Sequence, residues 1–97
     1  MRNELPLMKL LKIVGRYKEF NSVLELHKAI YVMQSEKGVK LGYSFVNYSF
    51  GPYSKDLEND LNLLAQTGLI AMEGNGKDVR VKLSSKGATL LHSLENH

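Results

Sequence analysis

The feature that most constrains the fold is a change of hydrophobic period at Gly68. Before this glycine, Leu57, Leu61 and Leu64 recur at spacings of three and four, which predicts the buried stripe of a helix. After it, the segments "LIAME" and "VRVKLS" alternate between apolar and polar residues, as half-buried strands do. Asn75-Gly76 lies between them and is a strong signal for a two-residue hairpin turn. The sequence therefore predicts a helix followed at once by a tight hairpin.

Three further helices are predicted from apolar spacing. The first runs from Leu5 to about Tyr17, where "FNS" breaks the pattern. The second runs from Val23 to about Glu36, with Asn21 or Ser22 as its cap. The last starts at Ser85 and carries several leucines. Helices thus precede and follow the predicted hairpin.

Between these helices, "YSFVNYSF" is typical of a short strand, and Gly51-Pro52 follows it as a rigid corner. Ser54 is the expected cap of the third helix. The order is helix, helix, strand, helix, hairpin, helix. We therefore predict an α+β, mainly α, fold of the winged helix-turn-helix type, in which a short strand through Phe45 accompanies a two-stranded wing.

Size and composition bound the class of protein. A chain of 97 residues suffices for one domain, which we expect to span residues 1–97. The absence of cysteine excludes disulfides and thiolate metal sites and fits a cytoplasmic protein. Lys9, Lys12 and Arg16 interrupt the N-terminal apolar segment, so we expect neither a signal peptide nor a membrane span.

Charge is unevenly distributed along the chain. Residues 2–18 contain five bases and one acid, and the wing region contains four bases, Lys77, Arg80, Lys82 and Lys86, against Asp78. Between these regions lies an acidic patch of Asp56, Glu58 and Asp60, opposed by Lys55. Two basic regions around an acidic one indicate an oriented contact with a polyanion.

The predicted partner is double-stranded DNA. The amide groups of Asn59 and Asn62 could read adenine edges, and the wing bases could bind phosphates. Tyr53, Ser54 and Lys55 begin the third helix, where free backbone amides attract phosphate. The predicted DNA-binding residues are Tyr53, Ser54, Lys55, Asn59, Asn62, Lys77, Arg80, Lys82 and Lys86.

Plainer roles compete with these assignments. The acidic third helix is expected to present a solvated face rather than to lie deep in a major groove. Phe45 and Phe50 are expected to pack in the core or the corner. The wing lysines could equally be ordinary solvated residues. A protein-interaction module that docks through the acidic helix is therefore the alternative function.

No catalytic set is found in the sequence. His27, His92 and His97 lack metal-ligand spacing, and His27 lies among apolar helical neighbours, as a core or boundary histidine does. Asp56 and Asp60 lack a neighbouring base or apolar pocket that would raise either pKa. We expect no enzyme activity, no metal and no cofactor.

The first helix carries more apolar residues than one side of a small domain usually needs. One face could pack within the chain and the other against a second copy, which predicts a homodimer. Full burial within one chain is the alternative.

The segments "LNLLAQTGLI" and "VRVKLSSKGATLLHSL" resemble parts of multiple-antibiotic-resistance-type winged-helix regulators. The longer stretch from "LHKAIYVMQ" to "FVNYSFGPYSKDL" resembles small prokaryotic winged-helix proteins with a "YGPYS" corner and, more distantly, the Panacea antitoxin domain. Phe50 stands where that corner has tyrosine. The resemblance implies a winged-helix fold, and such domains serve as transcription regulators, antitoxins or adaptors.

Overall fold

The computed structural model describes residues 6–95, apart from the side chain of Lys77. Within this range the chain forms four helices and two small antiparallel sheets. The helices and strands are α1 (Pro6–Tyr17), β1 (Glu19–Phe20), α2 (Val23–Glu36), β2 (Val46–Tyr48), β3 (Gly51–Tyr53), α3 (Lys55–Gln66), β4 (Ile70–Glu73), β5 (Arg80–Leu83) and α4 (Ser85–Glu95). The α+β, mainly helical class is confirmed, and Leu5 lies outside the described residues.

The core forms where the apolar stripes of three helices meet. Leu57, Leu61 and Leu64 of α3 are buried, as their spacing predicts. They join the buried leucines of α1 and the buried Leu26 and Ile30 of α2. Full burial of one such side chain contributes about 1.5–3 kcal/mol. This cluster therefore fixes how α3 lies against the other helices.

The larger sheet has the order β1-β5-β4, with β5 in the centre. Phe20 of β1 pairs with Val81 of β5, and both side chains are buried. The third strand of this sheet is therefore β1, and the prediction that the strand through Phe45 joins the hairpin is wrong. A strand of two residues is too short to show apolar-polar alternation in the sequence. The segment that contains Phe20 is therefore interpreted from the sequence as a break between two helices.

The smaller sheet is a separate hairpin made by β2 and β3. Tyr48 pairs with Gly51 and Val46 pairs with Tyr53, so Ser49 and Phe50 form its turn. Gly51 has a φ of 126°, which a residue with a side chain rarely adopts. The Gly-Pro pair, predicted to be a corner after a strand, is thus part of the second strand.

The connection between β4 and β5 is longer than the predicted two-residue turn. Glu73 pairs with Arg80, so residues 74–79 lie between the strands, and Gly76–Asp78 forms a 3-10 turn. Gly74 has a φ of 119°, and a Cβ there would lie 2.6 Å from the Asp78 oxygen. The close return of Asp78 over Gly74 therefore replaces the expected Asn75-Gly76 turn.

Both ends of α3 match the prediction. The Ser54 hydroxyl accepts a hydrogen bond of 3.2 Å from the Leu57 amide at the start of the helix. Gly68 follows the last turn with a left-handed φ of 80°. The caps Ser22 and Ser54 are thus both used, and Gly68 directs the chain into β4.

Candidate nucleic-acid interface

The exposed face of α3 brings three predicted residues together. Lys55, Asn59 and Asn62 occupy positions four and three residues apart, on the side opposite Leu57, Leu61 and Leu64, and all three are exposed. Their polar groups can therefore reach a ligand outside the molecule.

The acids on α3 are largely occupied by intramolecular contacts. Glu58 accepts a hydrogen bond of 3.1 Å from Lys55 Nζ, and hydrogen bonds from Tyr53 and Lys55 lower the Glu58 pKa. Asp60 Oδ2 accepts a hydrogen bond of 2.7 Å from the Tyr43 hydroxyl. Burial, followed by that bond, raises the Tyr43 pKa. Asp56 is exposed and Glu58 and Asp60 are half-buried, so the expected solvated face is confirmed at Asp56 and only in part at the other two acids.

Arg80 and Lys82 lie on the outer face of the larger sheet. They flank the buried Val81 along β5, and both are exposed. Lys82 Nζ lies 3.6 Å from Glu73 Oε1, whereas Arg80 forms no ion pair with any residue in the described part of the chain. Arg80 and Lys82 thus both present positive charge on this face, with the Glu73 carboxylate beside them.

The other two predicted wing bases differ in their settings. Lys86 Nζ donates a hydrogen bond of 2.8 Å to the Thr67 carbonyl oxygen at the end of α3. A cation at this position donates a hydrogen bond to a free carbonyl group and interacts favourably with the helix dipole. Lys86 therefore links α4 to α3. The Lys77 backbone belongs to the turn between β4 and β5, and its side chain lies outside the described residues.

Ser54 is placed where it cannot contact phosphate. Its side chain is fully buried, and its hydroxyl accepts a hydrogen bond from the Leu57 amide. The Ser54 amide donates a hydrogen bond of 3.1 Å to His27 Nδ1. The prediction that Ser54 contacts DNA directly is therefore wrong. Its capping role occupies the same groups.

His27 is a core histidine, as predicted. It is fully buried, and its Nε2 atom has no hydrogen-bond partner among the described residues. Burial lowers its pKa, while the Glu58 charge acts in the opposite direction. The Tyr53 ring stacks on the imidazole at 4.6 Å with an interplanar angle of 17°. Burial and the hydrogen bond to Glu58 raise the pKa of Tyr53 to about 12.

A cluster of aromatic rings lies on the smaller hairpin, around the predicted Gly51-Pro52 corner. Tyr48 and Phe50 stack at 5.1 Å, and Tyr53 meets both edge to face. The expected packing in the core or the corner is confirmed, because Phe45 packs on the core and Phe50, although 54% exposed, packs on Tyr48 and Tyr53. We call β2, β3 and their turn the aromatic hairpin. The sequence feature that indicates such a surface is the absence of any charged residue from position 41 to 54.

The aromatic hairpin borders an apolar cleft of about 270 Å³. The cleft is lined by Val23, Leu24, Phe50 and Gly76, so it lies between the hairpin, the start of α2 and the β4–β5 turn. Its lining residues can make apolar contacts and carry no charge. A protein side chain fits this chemistry better than a phosphate does.

Within residues 6–95, no cluster of three or more His, Cys, Asp or Glu is arranged to hold a metal ion. None of the helices in that range combines the length and the apolar character needed to cross a bilayer. Comparison with protein-family models, curated proteins and solved structures returns no match for this chain.

Proposed function

We propose that this protein is a winged-helix DNA-binding regulator. The observation that carries the proposal is the order of the elements: α3 precedes the β4–β5 hairpin, and β5 pairs with the short β1 that follows α1. Winged-helix domains have this connectivity, with the helix before the hairpin as the recognition helix. Here that helix exposes amide side chains.

In this proposal, α3 and the hairpin have different tasks. Asn59 and Asn62 read base edges, because an amide can donate to and accept from adenine. Arg80 and Lys82 contact phosphates from the wing, Lys55 contacts phosphate from the start of α3, and a contact by Lys77 stays a prediction. Lys86 acts indirectly, since its bond to Thr67 positions α4 against the end of α3.

The test is duplex-DNA binding measured across a salt series. Replacing Arg80 by alanine should weaken binding to all sequences alike and reduce the salt slope by about one. Replacing Asn62 by alanine should instead change sequence preference, by roughly 1–3 kcal/mol if it makes a bidentate base contact. A wild-type chain that fails to bind duplex DNA at low salt would contradict the proposal.

A second function, that of an antitoxin-like or adaptor module, is favoured by the aromatic hairpin. Val46, Tyr48 and Phe50 are each at least half exposed, which is typical of protein-contact surfaces rather than of phosphate sites. The variant Asp56→Asn, at the exposed acid of α3, separates the two functions. DNA binding should be unchanged or stronger without this charge, whereas binding of a partner held by the acidic helix should weaken.

A further inference from the structure

A second group of bases, besides that of the wing, lies on α1. Lys9, Lys12 and Arg16 follow one another at spacings of three and four, so they share one face of the helix. The opposite face carries the buried Leu10, Leu11 and Val14. The α1 bases therefore point away from the core.

The loop after α2 adds a fourth base. Lys9 Nζ donates a hydrogen bond of 3.1 Å to the Lys40 carbonyl oxygen, which holds this loop against α1. The two segments enclose a groove of about 230 Å³. It is lined by Lys9, Lys12, Ile13, Arg16, Val39, Lys40 and Leu41, with no carboxylate among them. We call this the α1 groove.

The clefts on both sides of the α1 groove contain acidic residues. On one side, Leu41 also borders a cleft that contains Asp56 and Asp60. On the other, Lys12 and Arg16 border a second cleft of about 340 Å³ that contains His92 and Glu95. Bases thus line the groove itself, and acids lie in the clefts beyond it. A bound anion is favoured along α1 and disfavoured over the acidic clefts.

We propose that the α1 groove binds the phosphate backbone of a nucleic acid, as a contact surface separate from α3 and the wing. Lys9 and Arg16 are seven residues apart, or about 10 Å along the helix axis. A row of bases over that length matches a polymer that carries a charge on every unit. The Arg16 guanidinium supplies the paired donors that fit a phosphate. A membrane fits poorly, since the apolar face of α1 is already buried.

The inference extends the proposed function but does not depend on recognition by α3. Because backbone binding releases counterions, each phosphate contact contributes about 0.9 to the salt slope on duplex DNA and about 0.7 on a single strand. The test variant is Arg16→Gln, Lys40→Gln, which removes two exposed charges and leaves the Lys9 bond to the Lys40 backbone. The matched control is Lys28→Gln, Lys37→Gln, which removes two exposed charges, one from α2 and one from the residue that caps its C-terminus.

Binding of each protein to a labelled duplex, a single-stranded oligonucleotide and polyglutamate is measured from 50 to 300 mM salt. We expect the salt slope of R16Q/K40Q binding to nucleic acid to decrease by the contribution of about two phosphate contacts. The K28Q/K37Q protein should keep the wild-type slope. Equal losses in both double variants would overturn the inference, since net charge alone would then act. So would tighter binding to polyglutamate than to either oligonucleotide.

The two proposals fail in different ways. Loss of binding on Arg80→Ala together with an unchanged R16Q/K40Q slope would overturn the α1 groove and leave the winged-helix proposal standing. Binding of the single strand alone, with the slope reduced in R16Q/K40Q, would support the groove and contradict duplex recognition by α3.

Discussion

At the scale of single residues, His27 connects the core to the aromatic hairpin. Its Nδ1 accepts a hydrogen bond from the Ser54 amide, and its ring stacks on the ring of Tyr53. A protonated imidazole carries hydrogen on both nitrogens, so Nδ1 could no longer accept that bond. The neutral form is therefore the one that the folded protein holds.

This arrangement predicts that stability falls in mild acid. Burial lowers the folded-state pKa of His27 below 6.5, so the unfolded chain binds the proton more readily. The free energy of unfolding should thus be highest above pH 6.5 and decrease as the pH falls through the window below it. The neighbouring Glu58 charge and the Tyr53 hydroxyl face the same ring, and Glu58 reduces the effect.

Urea denaturation between pH 5.5 and 7.5 measures this dependence. The matched variant is His27→Gln, whose amide oxygen can accept from Ser54 but whose side chain does not titrate. We expect its stability to vary less with pH than that of the wild type. Parallel curves for the two proteins would show that His27 does not cause the acid sensitivity.

At the scale of elements, α4 depends on close approach to the larger sheet. Gly87 is a buried helical residue, and a Cβ there would overlap the Leu69 carbonyl oxygen and lie 2.9 Å from a Leu83 methyl group. Backbone cannot move aside as a flexible side chain can. Glycine is therefore required where α4 crosses the connection into β4.

The substitution Gly87→Ala should destabilise the protein by about 1–3 kcal/mol through overpacking. In an exposed helix the same change would stabilise by about 1 kcal/mol, so its sign is diagnostic. Thermal unfolding should show a Tm lower by roughly 4–8 °C per kcal/mol. Thr89→Ala, at an exposed position of α4, is the control and should change little. An equal or higher Tm for G87A would contradict the close packing.

Elements with strong periodic patterns could be predicted from the sequence, and short ones could not. The stripe of Leu57, Leu61 and Leu64 and the Ser54 cap were predictable because helix geometry repeats the signal over several turns. β1 could not be recognised, since Glu19 and Phe20 form a strand only by pairing with β5. Pro52 suggested a corner because proline usually ends strands, yet Gly51 permits the pairing with Tyr48.

The candidate site was less predictable, because burial and pairing decide which charges reach a ligand. Ser54 and Lys86 have chemistry suited to phosphate, but the fold uses them to cap α3. Lys82 lies beside Glu73 only because β4 and β5 are in register. The Lys9 contact with Lys40 joins residues far apart in sequence, so spacing alone could not reveal the α1 groove.

At the scale of the whole molecule, the apolar surface of α1 is covered within one chain. Leu10, Leu11 and Val14 are fully buried, and Leu7, Met8 and Ile13 pack on the core. A homodimer stays a prediction, and it would need another surface, such as the free edge of β2. That edge carries no charge to repel its own copy, and uncharged edge strands pair readily.

Sedimentation at micromolar concentration should give twice the chain mass of 10.9 kDa. Val46→Lys should shift the protein to the monomer mass, because it adds a charge to the strand edge of each copy. The control is Leu94→Lys, which adds a charge at an exposed residue of α4 and should leave the dimer intact. Dissociation by Leu94→Lys alone would place the interface on the terminal helix, and a monomeric wild type would exclude the dimer.

The central position of β5 also sets the order in which the chain can fold during synthesis. Phe20 is made early, but its partner Val81 emerges from the ribosome after about sixty more residues have been added. Until then β1 and β4 have no common neighbour, and the apolar side chains beneath the larger sheet stay uncovered. Contacts this distant in sequence form late and leave nascent chains prone to association. A chain stalled before Arg80 lacks β5 and α4, so α1 and α2 can form while the larger sheet cannot.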